Sequence, residues 1–341
     1  MHVPFSGAWR RCRRLFFAAP LVAACPAVGG QAVMEGVMMR NAETYALALR
    51  MPDGGISAWR LPWFSLTDFR PLRAPFVRGF PLLVETLING IRALNLSAAA
   101  VTGDEEEPPR SWQLALTLCF AAGMAALLFA AVPHALSLLM QRQGLGGAVE
   151  GVSFHLWDGF FRCAIFVLYV GGISLLPDIR RVFQYHGAEH KVIHAFESGR
   201  TVDTDFAARM SRLHPRCGTT FLLFVICLSI VLHALLVPLL LSYWSPERVW
   251  LKHAGALLFK MALLIPISAL AYELIRCAAR MDDGLPATLL RAPGLALQRL
   301  TTAEPDEGQL DVAIVALYEA LGPEDGARVL AVPHRLRDGA A

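Results

Sequence analysis

The chain has 341 residues, of which 55% are hydrophobic and 17% are charged, and its formal net charge is +3. A soluble globular domain carries about a quarter charged residues, so this composition argues against an ordinary soluble protein and indicates a chain that lies largely in lipid. The basic residues form no run interleaved with aromatic residues, so the sequence carries no footprint of nucleic-acid binding. We therefore expect the lipid bilayer as a partner and no nucleic acid, and a homo-oligomer stays compatible with the sequence.

The first segment, residues 1–28, starts with arginines and continues into a short apolar stretch. A charged start followed by a short apolar run is typical of a secretory signal peptide. The alternatives are a loosely packed extension, an additional span or a start assigned too far upstream. The sequence leaves all of them open.

The next segment, residues 29–75, predicts a small β element. Tyr45, Leu47 and Leu49 alternate with small or polar residues, and an Asp-Gly pair follows at 53–54. Alternation beside an Asp-Gly pair is a hairpin signal. We expect this element to be soluble or to lie on the membrane.

Residues 76–101 are apolar at helical spacing, with three charged residues between them. This pattern predicts an amphipathic helix in the membrane interface. A helix buried against the membrane bundle is the alternative. Residues 102–111 are acidic and contain a Pro-Pro pair, which predicts a solvated linker.

Four apolar stretches in residues 112–276 each reach or approach the ~20 residues that a helix needs to cross a bilayer. They run from about Trp112 to Met140, Gly159 to Leu176, Thr219 to Tyr243, and Ala254 to Leu274. The expected fold class is therefore mainly α: a polytopic bundle of about four transmembrane helices, with the small N-terminal β element and the interfacial helix beside it.

Lysine and arginine accumulate in the loop 177–218 and in the tail 277–341, whereas the other two connections carry few. The positive-inside rule then predicts a multi-pass protein of the cell inner membrane, with the loop and both termini in the cytoplasm. The tail returns to soluble character. Within it, residues 309–321 have the spacing of an amphipathic helix.

Three ionisable residues, His134, His233 and Lys260, fall inside the predicted spans. Ionisable groups within a membrane are functional candidates by default. The predicted topology puts His233 and Lys260 in the half of the bilayer away from the cytoplasm. We expect Lys260 to extend its amine outward to the membrane surface.

The segment His186-Gly187-Ala188-Glu189-His190 is the strongest chemical signal. On a helix, His186 and His190 lie one turn apart on one face, where two imidazoles can hold one metal ion. The order H-x-x-E-H is that of the inverted zinc-peptidase helix, in which the glutamate is the general base. Glu189 is therefore the predicted catalytic residue. His194, one turn further along, shares the face.

Further ligands are predicted downstream, where His214 and Cys217 stand three residues apart around a proline. Either one would complete a three-ligand site with an open position, as catalytic zinc requires. Asp203 and Asp205 are the alternatives for a third ligand or a partner of the ligands. A purely structural role, with histidines bonded to backbone or lipid phosphate, is the competing interpretation.

Glu35 is a second candidate catalytic residue, because it lies in a stretch of glycine, valine and methionine. A carboxylate in apolar surroundings has a raised pKa or a charged partner. It could reach the histidines, or it could pair with an arginine such as Arg40 or Arg78.

Four blocks together resemble the YqhQ-like family of bacterial membrane proteins: residues 29–38, 185–191, 212–219 and 298–302. The resemblance covers nearly everything from Gly29 to the tail. It implies the fold and topology, and it brings a label of predicted metal-dependent enzyme without a substrate.

The preferred functional hypothesis is a membrane-bound hydrolase that uses a divalent metal such as zinc. Its substrate would be a membrane-associated peptide, lipid or phosphoester approached from the cytoplasm. The alternative is a non-catalytic scaffold, assembly factor or transporter component, for which His233 and Lys260 would matter more.

Overall fold

The structure of the protein, a computed structural model, describes residues 28–102, 111–215, 217–281 and 284–337. Nearly all of the predicted N-terminal extension and of the acidic linker, residues 1–27 and 103–110, lies outside the described residues.

The strands are β1 (Gly29–Val33), β2 (Gly36–Asn41), β3 (Thr44–Arg50), β4 (Ile56–Pro62) and β5 (Arg335–Arg337). The helices before the loop region are α1 (Gly79–Thr102), α2 (Ser111–Ala126), α3 (Val132–Arg142) and α4 (Val152–Ile173). The later helices are α5 (Pro177–Glu197), α6 (Thr204–Ala208), α7 (Gly218–Tyr243), α8 (Val249–Ala262), α9 (Leu264–Arg280), α10 (Leu285–Thr301) and α11 (Glu307–Asp325).

Four helical stretches are long and apolar enough to cross a membrane: Ala115–Arg142, Val152–Ile173, Gly218–Tyr243 and Val249–Ala278. We call them spans one to four. The predicted fold class is confirmed, because the chain is mainly helical, with four candidate spans and a small N-terminal sheet. Span two begins at Val152 rather than Gly159, and span four is longer at both ends than predicted.

The outward faces of the spans are apolar. Leu116, Phe120, Leu168, Leu235 and Leu258 are all more than half exposed. Large exposed apolar surfaces mark an interaction with lipid or a partner. On helices of this length, the bilayer is the surrounding that such side chains require.

The small sheet has the strand order β1-β2-β3-β4-β5. Strands β1 to β4 form an antiparallel meander, and β5 joins the edge parallel to β4. The predicted hairpin is the β3–β4 turn, in which Met51 N donates to the Gly55 carbonyl at 2.9 Å. Gly54 takes a φ of 80° in this turn, which glycine adopts without strain.

Both faces of the sheet are covered, as period-two strands with apolar residues on each side require. On one face Met39, Ala46 and Ala48 pack with α5 and α11. On the other face Leu47 and Trp59 pack against α1. The N-terminal strands and the C-terminal helix therefore share one core outside the spans.

Helix α11 is the centre of that core. A capping box of Asp306 and Gln309 starts it, and Leu310, Ile314 and Leu317 are almost fully buried. The helix predicted over 309–321 is present. Buried residues surround it on several sides, because the sheet, α5 and α6 all pack against it.

Candidate metal centre

Helix α5 carries the histidine motif and begins immediately after span two. Pro177 stands in its first turn, where a missing N–H costs nothing. The turns from 187 to 193 are buried between the sheet and α11, while His186 is half-buried. The region predicted as the loop 177–218 is thus largely helical, and it holds the motif rigidly.

Backbone carbonyls orient the two histidines. His186 Nδ1 lies 2.8 Å from the Thr301 carbonyl, and His190 Nδ1 lies 2.6 Å from the Arg212 carbonyl. A carbonyl can only accept, so each Nδ1 carries the hydrogen and each Nε2 presents a lone pair. The buried His190 Nε2 has no hydrogen-bond partner within the described part of the chain.

Cys217 brings the third ligand atom. Its Sγ lies 3.2 Å from His186 Nε2, and the ligand atoms of His186, His190 and Cys217 all lie within 4.8 Å of one another. Ligands about 2.0–2.3 Å from a tetrahedral zinc are separated from each other by roughly 3.5 Å. The three groups therefore fit a divalent ion after small side-chain movements.

Burial sets the protonation state of the ligands. It lowers the pKa of His190 below its usual value, and the neighbouring Cys217 thiol opposes this only in part. A neutral imidazole is the form that binds a metal. His190 is therefore a ready ligand at neutral pH.

The end of α10 fastens the segment that carries Cys217. The Gln298 side chain accepts from His214 N and donates to the His214 carbonyl, both at 2.7 Å. Arg212 donates to the Thr302 carbonyl and, at 2.8 Å, to its hydroxyl. The block 298–302 therefore positions the ligands. In the sequence, residues 298–302 stood out only by their resemblance to a family. Nothing in their charges or residue types predicted that they position the candidate ligands.

Glu189 lies beside the ligands and is buried. Burial raises the pKa of its carboxyl, while the nearby His186 and His214 and the Gly30 N–H act in the opposite direction. Its Oε2 has no hydrogen-bond partner among the described residues. A carboxylate kept partly unsatisfied next to a metal site can take up a proton.

His214 and His194 lie next to the three ligands without belonging to the set. The His214 ring centroid is 5.7 Å from that of His190 and 4.6 Å from that of His194. His214 Nε2 contacts Glu197 at 3.4 Å, and His194 Nε2 donates to the Leu213 carbonyl at 3.0 Å. Burial lowers the pKa of His214.

Glu35 also contacts α5, but its partners there are Arg181 and Tyr185. Both of its oxygens are held by Arg181, one at 2.7 Å, and the Tyr185 hydroxyl donates to it at 3.3 Å. Its partner is therefore Arg181 rather than Arg40 or Arg78. A φ of 54° at Glu35 closes the tight turn between β1 and β2.

Asp203 and Asp205 do not join the ligand group among the described residues. Asp203 caps α6, where its side chain accepts from Phe206 N at 2.7 Å. Asp205 lies in the first turn of the same short helix. A cap role is what aspartate prefers at such a position.

The expectation that Lys260 extends outward is wrong. Its side chain is 1% exposed, and Nζ donates to Asp158 at 2.8 Å inside the bundle. Asp158 also forms a salt bridge with Arg162 at 2.7 Å. Sequence reasoning missed Asp158, because span two was started at Gly159, and it overlooked Arg162 inside the predicted span. The spacing of four between Asp158 and Arg162 in an apolar run is the signal that would have found them.

Comparisons with known proteins match this architecture to a family. The family model described as a protein of unknown function (DUF1385) matches residues 74–323. The uncharacterized protein YqhQ of Bacillus subtilis (strain 168) is 33% identical over 311 residues, which cover 87% of this chain and 92% of that protein. No solved structure matches. The resemblance drawn from the four sequence blocks is confirmed.

Proposed function

From its membership of the DUF1385 family of proteins of unknown function, and from its site, we propose that this chain is a metal-dependent hydrolase at the membrane surface. His186, His190 and Cys217 hold the ion, for which zinc is the natural choice with nitrogen and sulfur ligands. Glu189 is the general base.

One observation carries this proposal: two imidazoles are fixed with Nε2 toward the same thiol. Ligating histidines almost always donate the other ring N–H to a carbonyl or carboxylate. His186 and His190 both do so here, to Thr301 and Arg212. A structural pair of buried histidines has no need to leave a lone pair such as that of His190 Nε2 without a donor.

The chemistry follows from the residues around the site. A divalent ion held there supplies Lewis acidity to a reacting carbonyl or phosphoryl group. Glu189 accepts a proton at Oε2 from the water that attacks the substrate, and it passes this proton to the leaving group as the scissile bond breaks. Burial raises the pKa of Glu189, which makes its carboxylate a stronger base than an exposed glutamate.

The position of the site favours a substrate that is attached to the membrane. Cys217 directly precedes Gly218, the first residue of span three. His186 and Cys217 are half-buried, whereas His190 and Glu189 are almost fully buried. This placement fits a substrate held at the membrane boundary. The basic residues of 177–218 support a cytoplasmic orientation in a bacterial inner membrane.

Metal content tests the ligand set. We expect the purified full chain to retain about one zinc per molecule, since three-ligand protein sites hold zinc tightly. His190→Ala should remove it, and Cys217→Ser should abolish the thiolate-to-metal absorption of the cobalt-substituted protein. His194→Ala is the matched control, because it removes a histidine one turn further along α5 and should keep the metal. Equal metal in wild type and His190→Ala would contradict the proposal.

Catalysis is tested separately with Glu189→Gln, which keeps the side-chain volume and all three ligands. This variant should bind zinc like wild type and lose activity by about 10²–10⁴-fold, the usual contribution of a positioned acid–base group. Peptide, phospholipid and phosphoester panels in vesicles serve as substrates. Metal retention with wild-type activity in Glu189→Gln would exclude the base role and favour a non-catalytic metal site.

A further inference from the structure

A second polar network lies inside the membrane bundle, distant from the metal centre. All four spans contribute to it through buried or half-buried side chains: His134, Asp158, Arg162, Ser229, His233, His253 and Lys260. On span three, sixteen residues separate Cys217 from His233, which is roughly 24 Å along a helix. The network is nearer the opposite end of the bundle, where the connections 143–151 and 244–248 lie. We call this end the far end.

The charges of the network do not balance. Asp158 forms salt bridges with Arg162 at 2.7 Å and with Lys260 at 2.8 Å, so two cations share one carboxylate. Glu273, the other acidic residue in the spans, pairs with Arg78 instead. An uncompensated buried charge is costly in lipid. Arg162 cannot lose its proton, so neutralising Lys260 is the route by which the network becomes neutral.

A directed chain of hydrogen bonds leads away from Lys260. A lysine ammonium only donates, so His134 Nδ1, 3.3 Å from Nζ, is an acceptor. His134 Nε2 therefore carries the ring hydrogen and donates to His253 Nδ1 at 3.0 Å. His253 is half-buried and stands beside Lys252, which pairs with Glu150 at the far-end surface. The chain thus runs unbroken from the centre of the network to a partly exposed ring.

The other polar groups that face Lys260 and His134 are engaged in hydrogen bonds of their own. Arg162 donates to Ser229 Oγ at 2.7 Å and to His233 Nδ1 at 3.1 Å. On span two, His155 donates from Nε2 to the Val149 carbonyl at 2.9 Å. These hydrogen bonds set the tautomers of His233 and His155. Neither histidine belongs to the series of hydrogen bonds that leads from Lys260 to His253.

We propose that the membrane bundle takes up and releases one proton through Lys260, His134 and His253 at the far end. On release, a proton passes from Lys260 Nζ to His134 Nδ1, while the His134 Nε2 proton passes to His253 Nδ1. His253 then gives its Nε2 proton to solvent. Lys260 becomes a neutral amine, Asp158 stays paired with Arg162, and no electrons are transferred. The reverse sequence reloads Lys260.

Lysine NMR tests this proposal, because the chain has only three lysines, at 191, 252 and 260. The full-length protein is labelled with ¹³C at lysine Cε and placed in lipid nanodiscs. Lys191→Arg and Lys252→Arg assign the signals. We expect Lys260 to show one averaged signal for its charged and neutral forms, because the hydrogen bonds through His134 and His253 connect Nζ to the far-end surface.

Removing one histidine from the series of hydrogen bonds should slow proton exchange at Lys260, while Lys260 can still gain and lose its proton. In His253→Phe, proton exchange at Lys260 should fall by about a hundredfold, the lower end of what a positioned acid–base group contributes to proton transfer. Separate charged and neutral signals should then appear. The phenyl ring at 253 keeps the ring packing against His134 and Phe154 but cannot accept the His134 proton. His134→Phe repeats the test at the buried position.

The matched control is His155→Phe, which removes a buried histidine outside the chain and should keep the averaged signal. A Lys260 signal that stays charged over the whole pH range in which the protein stays folded would overturn the proposal. So would equal exchange in wild type, His253→Phe and His134→Phe. Neither result bears on the zinc content of the metal centre, so the two proposals fail separately.

Discussion

Two positions beside the candidate metal centre must be glycine because of the groups that pack against them. A side chain at Gly187, inside the histidine motif, would collide with the Ala303 carbonyl. A Cβ at Gly30 would lie 2.7 Å from Glu189 Cδ. Both glycines therefore let other segments approach α5 closely, and they set the positions of Thr301 and Glu189.

Gly187→Ala should destabilise the protein by about 1–3 kcal/mol, the usual cost of overpacking a filled site. It should also weaken zinc retention, because moving Ala303 disturbs the nearby Thr301 carbonyl that orients His186. Thermal unfolding in detergent, with metal analysis, measures both effects. Gly172→Ala is the control, since nothing lies within 4 Å of its added methyl group. Equal unfolding temperatures for the two variants would show that the close approach is unimportant.

Glu85 is a buried carboxylate that organises the chain before α1. Its oxygens accept from Leu66 N at 2.7 Å, Thr67 N at 2.6 Å and Trp63 Nε1 at 3.3 Å. Burial acts to raise the pKa of Glu85, but these hydrogen bonds outweigh it, and the pKa lies below its usual value. The ionised form is therefore favoured by folding.

Glu85→Gln should cost about 1.5–3 kcal/mol, the range for hydrogen bonds to charged groups. Because the folded pKa is depressed, the contribution of Glu85 is present above the unfolded pKa and is lost as pH falls through the folded pKa. Wild type and Glu85→Gln should therefore differ at neutral pH and converge in acid. Chemical unfolding across this pH range checks the sign, and a difference that grows in acid would refute it.

At this scale the sequence was informative where a residue type has few uses. His186, His190 and Cys217 could be selected as candidate ligands, and the structure brings their ligand atoms within 4.8 Å of one another. The partner of Glu35 could not be predicted, since Arg181 is 146 positions away and only the fold brings them together. Gln298 was equally hidden, because an amide that bonds backbone groups has no sequence pattern.

At the scale of elements, one ion pair ties α1 to the membrane bundle. Arg78 makes two hydrogen bonds to Glu273 in span four, at 2.7 and 2.8 Å. The Glu273 side chain is 1% exposed and that of Arg78 is 17% exposed. Hydropathy alone predicted a helix over 76–101, but whether it lay in the interface or on the bundle depended on this contact. In the structure it packs on the sheet and against α9.

Arg78→Ala should destabilise the protein by about 3–5 kcal/mol, because it leaves a buried carboxylate without its partner. The double variant Arg78→Ala with Glu273→Gln should recover part of this loss, since no buried charge is then left unpaired. Thermal unfolding of the four proteins in a double-mutant cycle gives the coupling. Additive losses would mean that the pair does not hold α1 in place.

At the scale of the whole molecule, one domain outside the spans combines distant segments of the sequence. One of them precedes span one and another follows span four. The sequence predicted a β element and a C-terminal helix separately, and their types were correct. Their contact was not predictable, because more than 200 residues lie between β4 and α11. No periodicity links segments so far apart, and both were apolar enough to pack on many surfaces.

A chain truncated after Ala303 should keep its four spans and lose order in the sheet, because α11 would no longer cover Met39, Ala46 and Ala48. Hydrogen exchange of β1–β4 in detergent should then rise toward that of unfolded segments. A truncation after Arg337 is the control, since it keeps both α11 and β5. Unchanged protection of β2 and β3 in the shorter chain would mean that the sheet is stable by itself.

The shared core also constrains how the protein is made. The strands leave the ribosome before any span, yet the helix that covers their apolar face is synthesised after the last one. Until then, Ala46 and Ala48 have no α11 to pack on. The domain can therefore close only after all four spans have been inserted. The candidate metal centre, which needs α5 against this sheet and the end of α10, is completed only at that same stage.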